Sequence, residues 1–141
     1  MSVIVDTNVL VAALLQAGIV RELILGHPHS FVTPDACVAE LWDHREEWNR
    51  RGLSEGILGE AIDLLTEYFV STIPRPAYQE KEGEARSLIR DPDDVPVVAL
   101  ALALDNRGVW TFNTRDFSGP RLLARIRVLT TSEVKAILTT P

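Results

Sequence analysis

Short apolar runs, each closed by polar turn residues, alternate along this chain between strand-like and helix-like patterns. Val3-Ile4-Val5 is β-branched and apolar on consecutive positions, then meets Asp6-Thr7-Asn8, after which Val9 to Leu15 is apolar again. The pattern predicts a strand running straight into a helix. A strand with no polar face is covered on both sides, as in a parallel sheet. Ile19-Val20 and Leu23-Ile24 predict a second short helix that ends near Gly26-His27-Pro28, and Ser30-Phe31-Val32 reads as the second strand. Thr33-Pro34-Asp35 is a favourable helix start, with Thr as N-cap, Pro in the first position and Asp in the first turn. It predicts one helix to Trp48 or Asn49, with Gly52 beyond its end and Val38, Leu41, Trp42 and Trp48 on its buried side.

Ser54 is placed to cap the next helix, which carries Ile57, Leu58, Ala61, Leu64, Leu65, Tyr68 and Phe69; Gly56 and Gly59 weaken its first turns. Val70 to Ile73 predicts a short strand, and a charged helix from Gln79 to Ile89 stops at Asp91-Pro92. Val95 to Leu104 alternates like a strand yet is apolar at almost every position. Asp94 as N-cap, Pro96 in the first turn, the alanines and Gly108 beyond the end favour a buried helix. Val109 to Phe112 is the next strand. A polar loop from Asn113 to Asp116, a helical stretch at Pro120 to Arg125 and a last strand at Ile126 to Leu129 follow. Thr130 and Glu133 have capping-box spacing before the final helix, Val134 to Leu138. Strands alternating with helices predict a three-layer α/β domain with a central, mainly parallel sheet. No repeat or linker divides the 141 residues, so residues 1–141 are expected to form a single domain.

Composition narrows the class. The chain is 46% hydrophobic and 24% charged, which is globular. It has neither an apolar run long enough for a bilayer nor a signal-type start, so a cytoplasmic location is the expectation. Cys37 is the only cysteine, which leaves no internal disulfide and no cysteine-based zinc site. A net charge of −6 argues against nucleic-acid binding driven by overall charge. It does not exclude nucleic acid, because a carboxylate cluster built for cations is itself negative and the ions reverse the local field.

Four acids stand at the edges of apolar elements: Asp6 after the first strand, Glu40 on the helix after the second, Asp94 at the start of the Ala-Leu helix and Asp116 beyond the strand Val109 to Phe112. Parallel topology carries Asp6, Asp94 and Asp116 to the carboxyl edge of the sheet, where open α/β sheets bind ligands. Glu40 can lean over the same crevice. With no His or Cys alongside, such a cluster suits Mg²⁺ or Mn²⁺ and not zinc. Two such ions can clamp a phosphodiester, which points to metal-dependent phosphoryl hydrolysis. Each acid also has a plainer role open to it. Asp6 and Asp94 can cap helices. Glu40 can belong to a solvated face with Asp43, His44 and Glu47, Asp91 and Asp93 can serve a turn, and Asp116 can close one. His27, His29 and His44 lack ligand spacing, and Trp42, Trp48 and Trp110 read as core. Arg45, Arg50 and Arg51 suit a helix end.

Four segments together resemble the PIN-domain family, most closely its small prokaryotic VapC-type members. They are VIVDTNVLVAAL from Val3, PDACVAEL from Pro34, DPDDVP from Asp91 running into VVALA, and TFNTRDF from Thr111. Each segment is weak by itself. Their joint order and spacing, spread over essentially the whole chain, carry the resemblance. It implies a Mg²⁺- or Mn²⁺-dependent endoribonuclease in which Asp6, Glu40, Asp94 and Asp116 hold the ion or ions. Either Asn113 or Asp116 makes the last approach; the charged Asp116 is preferred, with Asn113 as its polar helper. Thr7 and Asn8 are the polar followers of the first motif, and Thr7 or Thr111 orients ligands or phosphate. The family further implies a homodimer, an RNA substrate and, for its toxin members, a small cognate antitoxin. Three other readings stay open: a non-catalytic PIN-like module that binds RNA or protein, a solitary nuclease without an antitoxin, and an aspartyl-nucleophile phosphatase. Asn8 counts against the phosphatase, since those enzymes usually carry a second acid at that place.

Overall fold

A computed structural model describes residues 1–52 and 55–140. In chain order the elements are β1 (Ser2–Val5), α1 (Thr7–Leu15), α2 (Ile19–Gly26), β2 (Phe31–Pro34), α3 (Asp35–Asp43), α4 (Arg45–Arg50) and α5 (Glu55–Tyr68). There follow β3 (Val70–Ile73), α6 (Glu82–Leu88), α7 (Val95–Ala103), β4 (Asn106–Trp110), α8 (Pro120–Leu123), β5 (Val128–Leu129) and α9 (Thr131–Thr139). The strands form one sheet in the order β3-β2-β1-β4-β5, and every pairing is parallel. Helices cover both faces, giving the three-layer α/β/α arrangement expected from the alternating pattern.

The strand order places the site. The chain steps from β1 outward to β2 and β3, then returns to β4 and β5 on the far side of β1. Because crossovers between parallel strands are right-handed, this reversal sends α1 to α5 to one face and α6 and α7 to the other. It also opens a crevice at the carboxyl ends of β1 and β4. Val3, Ile4 and Val5 are wholly buried, as their unbroken apolar run requires. α7 packs against β1, β2 and β4, and α1 packs with α2, α3 and α5. The Ala-Leu segment is therefore the core helix of one layer, buried almost all round.

Several local expectations are corrected. Thr33 does not cap α3. It lies in β2, where its hydroxyl donates to the Val5 carbonyl at 2.8 Å, and Pro34 takes the N-cap place. The helix expected to reach Trp48 or Asn49 breaks at His44 into α3 and α4, and Arg45 donates to the Trp42 carbonyl at the break. The charged helix from Gln79 begins as a tight turn at Gln79–Lys81, and α6 proper starts at Glu82. Ser54, expected as a helix cap, lies outside the described residues. Gly59 sits where a Cβ would come 3.1 Å from the Trp42 ring, so close packing explains a glycine that weakens its helix.

Gly108 is not the residue beyond a helix end. Asn106 does that work, donating from its amide to the Ala101 and Leu104 carbonyls at 3.0 and 2.7 Å. Gly108 lies inside β4 at φ +135, where a Cβ would meet Leu129 Cγ at 2.8 Å and the Arg127 carbonyl at 3.1 Å. Both the backbone angle and the close approach of β5 demand glycine. Gly108→Ala is expected to lower unfolding stability by about 2 kcal/mol, the usual scale of such strain. Chemical denaturation checks this; an unchanged midpoint would show that β5 simply moves aside.

Candidate metal centre

The crevice at the β1/β4 edge is a cleft of about 350 Å³ whose walls carry Asp6, Glu40, Asp91, Asp93 and Asp94. Ligand oxygens of Asp91, Asp94 and Asp116 lie within 4.8 Å of one another. Two carboxylates that close repel by about 3 kcal/mol at an effective dielectric of 20, before solvent screening. The fold opposes this repulsion through neutral hydrogen-bond donors. Asp6, directly after β1, accepts from the Thr7 amide through Oδ1 and from the Thr111 hydroxyl through Oδ2, both at 2.8 Å. It is therefore a helix cap and a member of the cleft at once. Glu40 is not part of a free solvated face; it is half-buried, and the Thr7 hydroxyl donates to its Oε2 at 2.7 Å.

Asp94 is the acid least provided for. It occupies the N-cap place of α7, yet its side chain makes no capping bond. Its Oδ2 is buried with no hydrogen-bond partner among the described residues. Burial pushes its carboxyl up to about 7, and Asp6, Asp91, Asp116 and Glu40 push the same way. Burial also raises Asp6, against the opposing bonds from Thr111 and Thr7. Glu40 is raised by burial as well, with Thr7 opposing and Asp93 and Asp6 adding to the shift. An orphaned buried carboxylate oxygen amid like charges is the arrangement that a hard cation completes. The donors present, all carboxylates, fit Mg²⁺ or Mn²⁺. Cys37 lies buried beneath, its thiol pushed up to about 12 chiefly by burial, so it stays protonated and offers no thiolate ligand.

The polar followers of the motifs hold the acids in place. Thr111 Oγ1 donates to Asp6 while accepting from the Asn113 amide at 3.0 Å and from the Asn8 side chain at 3.4 Å. Asn8 Oδ1 accepts from the Phe112 amide at 3.3 Å, which ties α1 to the loop after β4. Asn113 donates from its side chain to Asp116 Oδ2 at 2.8 Å, so it stands behind Asp116. Asp91 is the residue that sequence reasoning passed over. Its Oδ1 accepts from the Asp93 amide at 2.9 Å, the turn role expected of it, while the carboxylate also joins Asp94 and Asp116. The contiguous run Asp91-Pro92-Asp93-Asp94 was the signal. Not every acid at this edge is free for a ligand: Asp35 is taken up by the Ala36 amide, the Arg75 amide and the Tyr78 hydroxyl. Two of the three tryptophans are buried and paired, Trp48 donating to the Leu41 carbonyl and Trp110 to the Thr131 hydroxyl, while Trp42 packs partly buried against the core.

A doubly wound parallel sheet with carboxylates gathered at its switch point defines an α/β class of acidic, cation-binding sites. A family model described as the PIN domain matches residues 4–138, and the chain belongs to that family. PIN domains are in general metal-dependent nucleases that bind divalent ions through acidic residues, so membership points to a nuclease. No curated protein matches the chain.

The raised carboxyls fix the pH dependence of the metal-free protein. Asp94 keeps its proton in the folded state up to about pH 7, whereas an unfolded Asp releases it near 4. Between those values the folded state binds more protons, so its stability falls as pH rises. The melting temperature in EDTA should therefore climb as pH is lowered from 8 to 5. Asp94→Asn should flatten that rise, leaving the smaller part due to Asp6 and Glu40, and should remove most of the stabilisation that Mg²⁺ gives the wild type. A melting temperature independent of pH in both proteins would show that the cluster is not under charge strain.

Proposed function

We propose that this chain is a Mg²⁺- or Mn²⁺-dependent endoribonuclease that works as one domain in the cytoplasm. It acts as a homodimer and is the toxin of a toxin–antitoxin pair, neutralised by a small cognate protein. The observation that carries the catalytic reading is the buried, unpartnered Oδ2 of Asp94 beside Asp91 and Asp116, in a chain of the PIN family. The RNA preference, the dimer and the toxin role rest on the VapC-type likeness of the four motifs.

Asp6, Glu40, Asp94 and Asp116 hold the cation in this reading, with Asp91 as a further carboxylate of the group. Bound there, the ion supplies Lewis-acid stabilisation of phosphoryl oxygens and lowers the pKa of water. The chain's own residues set the conditions. The acids repel a phosphodiester until their charge is neutralised, so the cleft admits substrate only when loaded. Thr111 and Thr7 hold Asp6 and Glu40 in single orientations through their hydroxyls, as outer partners of ligands do. Asn113 does the same for Asp116.

Cleavage of mixed RNA and single-stranded DNA oligonucleotides tests this reading. Wild type should cut RNA with Mg²⁺ or Mn²⁺ and stop in EDTA. Asp6→Asn and Asp94→Asn should abolish cutting, while Thr111→Val should slow it by about 10–100-fold, the usual cost of losing an outer partner. EDTA-resistant cleavage, or full activity in Asp94→Asn, sinks the metal-nuclease assignment. Growth arrest on expression, relieved by the product of a small neighbouring reading frame, tests the toxin role separately.

A further inference from the structure

We infer that a second cavity, lined by Arg86 and Arg90, is the subsite that grips a backbone phosphate of the strand being cut; this rests on the nuclease reading above. The cavity encloses about 370 Å³ and lies against the metal cleft across a single turn. The turn from Asp91 to Pro96 has two sides. Asp91, Asp93 and Asp94 line the acidic cleft, while Pro92, Val95 and Pro96 line the second cavity. A strand laid over this turn touches both.

The charge of the cavity favours phosphate. Arg86 lies on α6 and Arg90 four residues later, just past its end; both are exposed. Neither side chain makes a hydrogen bond or an ion pair among the described residues. Neighbouring arginines are committed: Arg125 pairs with Glu84, and Arg75 pairs with Glu82 at 2.9 Å. The second pairing matters most, because Glu82 is the acid on the cavity wall. Both Nε and Nη2 of Arg75 donate to its Oε1, so the wall's negative charge is already answered. Two guanidiniums remain uncompensated beside an apolar floor of Pro92, Val95 and Pro96. Guanidinium forks match phosphate oxygens geometrically, and the floor accommodates a sugar or base. The subsite also resolves a problem in the charge distribution. A chain of net charge −6 with a carboxylate-lined cleft needs a local positive anchor to hold a polyanion.

The test is equilibrium binding of a fluorescent single-stranded RNA and its DNA counterpart to the wild-type protein with Ca²⁺ in place of Mg²⁺, so that the carboxylates stay intact and loaded while cleavage is suppressed. Adding Arg86→Ala and Arg90→Ala together should weaken binding about tenfold or more, the scale of a lost hydrogen bond to a charged group. It should also reduce the slope of log K against log salt by about 0.7, since each phosphate neutralised on a single strand contributes about 0.7. The paired lysine variant should retain the slope. Arg107→Ala, on an exposed arginine near the amino end of β4, should change neither. Equal losses on RNA and DNA identify the shared phosphate as the ligand; loss on RNA alone would overturn a phosphate anchor in favour of a ribose contact. An unchanged slope and affinity in the double alanine variant overturn the assignment, as does failure of the parent protein to bind either strand. Arginine-dependent binding by a wild type that cuts nothing with Mg²⁺ upholds the subsite while removing the nuclease reading.

Discussion

Like-charge repulsion at the carboxyl edge of the sheet is the constraint on which the rest of this structure depends. The cleft gathers several carboxylates, and one of them, Asp94, has an oxygen buried without a partner. A lone strand and helix could not hold them together. β1 supplies the anchorage: its three apolar side chains are wholly buried, and full burial of one Val or Ile is worth about 1.5–3 kcal/mol. That is comparable with the repulsion between two close carboxylates. The remaining compensation is local and neutral. Hydroxyls of Thr7 and Thr111 and the amide of Asn113 donate to carboxylates without adding charge, which leaves the cluster available to a cation.

The switch in strand order explains why residues so far apart in sequence meet. Asp6 follows β1 and Thr111 follows β4, and these strands are neighbours only because the chain reverses direction across β1. Their bond spans 105 positions. Asn8 adds a second tie across the same gap, to the Phe112 amide. The crevice is thus braced at its deepest point. Its outer parts, the Asp91–Asp94 turn and the loop bearing Asp116, are held by short-range bonds within each segment. Charge on the two sides of the Asp91–Pro96 turn is divided, acids facing the cleft and two arginines facing the neighbouring cavity. One short segment thereby separates the part of the surface suited to cations from the part suited to phosphate.

Much of this was legible in the order of residues. The run from Val3 to Leu15 announced a buried strand and its following helix, the alternation of elements announced the α/β class, and four motifs pointed to the family that matches residues 4–138. The local departures from the sequence pattern have a common origin. Sequence neighbours suggest a cap at Thr33, a mid-helix place for His44 and a helix end at Gly108, whereas the Val5 carbonyl, the break between α3 and α4, and the side chain of Leu129 decide their roles. In the sequence a turn role alone accounts for Asp91, although its carboxylate also joins Asp94 and Asp116. A carboxylate has two oxygens, and a turn needs only one of them.

Hydrophobic periodicity, caps and breakers act over a few residues, so the sequence by itself determined where strands and helices form, which strand is buried on both faces and which acids end apolar elements. Tertiary structure alone decided which of those acids meet. Asp35 and Asp91 both stand at helix or turn starts, yet one is consumed by Tyr78 and the Arg75 amide while the other joins Asp94 and Asp116. It also decided that Arg75 neutralises Glu82 and so leaves Arg86 and Arg90 unopposed. Desolvation and Coulomb forces depend on distance and burial in three dimensions, and neither quantity is written in the order of residues along the chain.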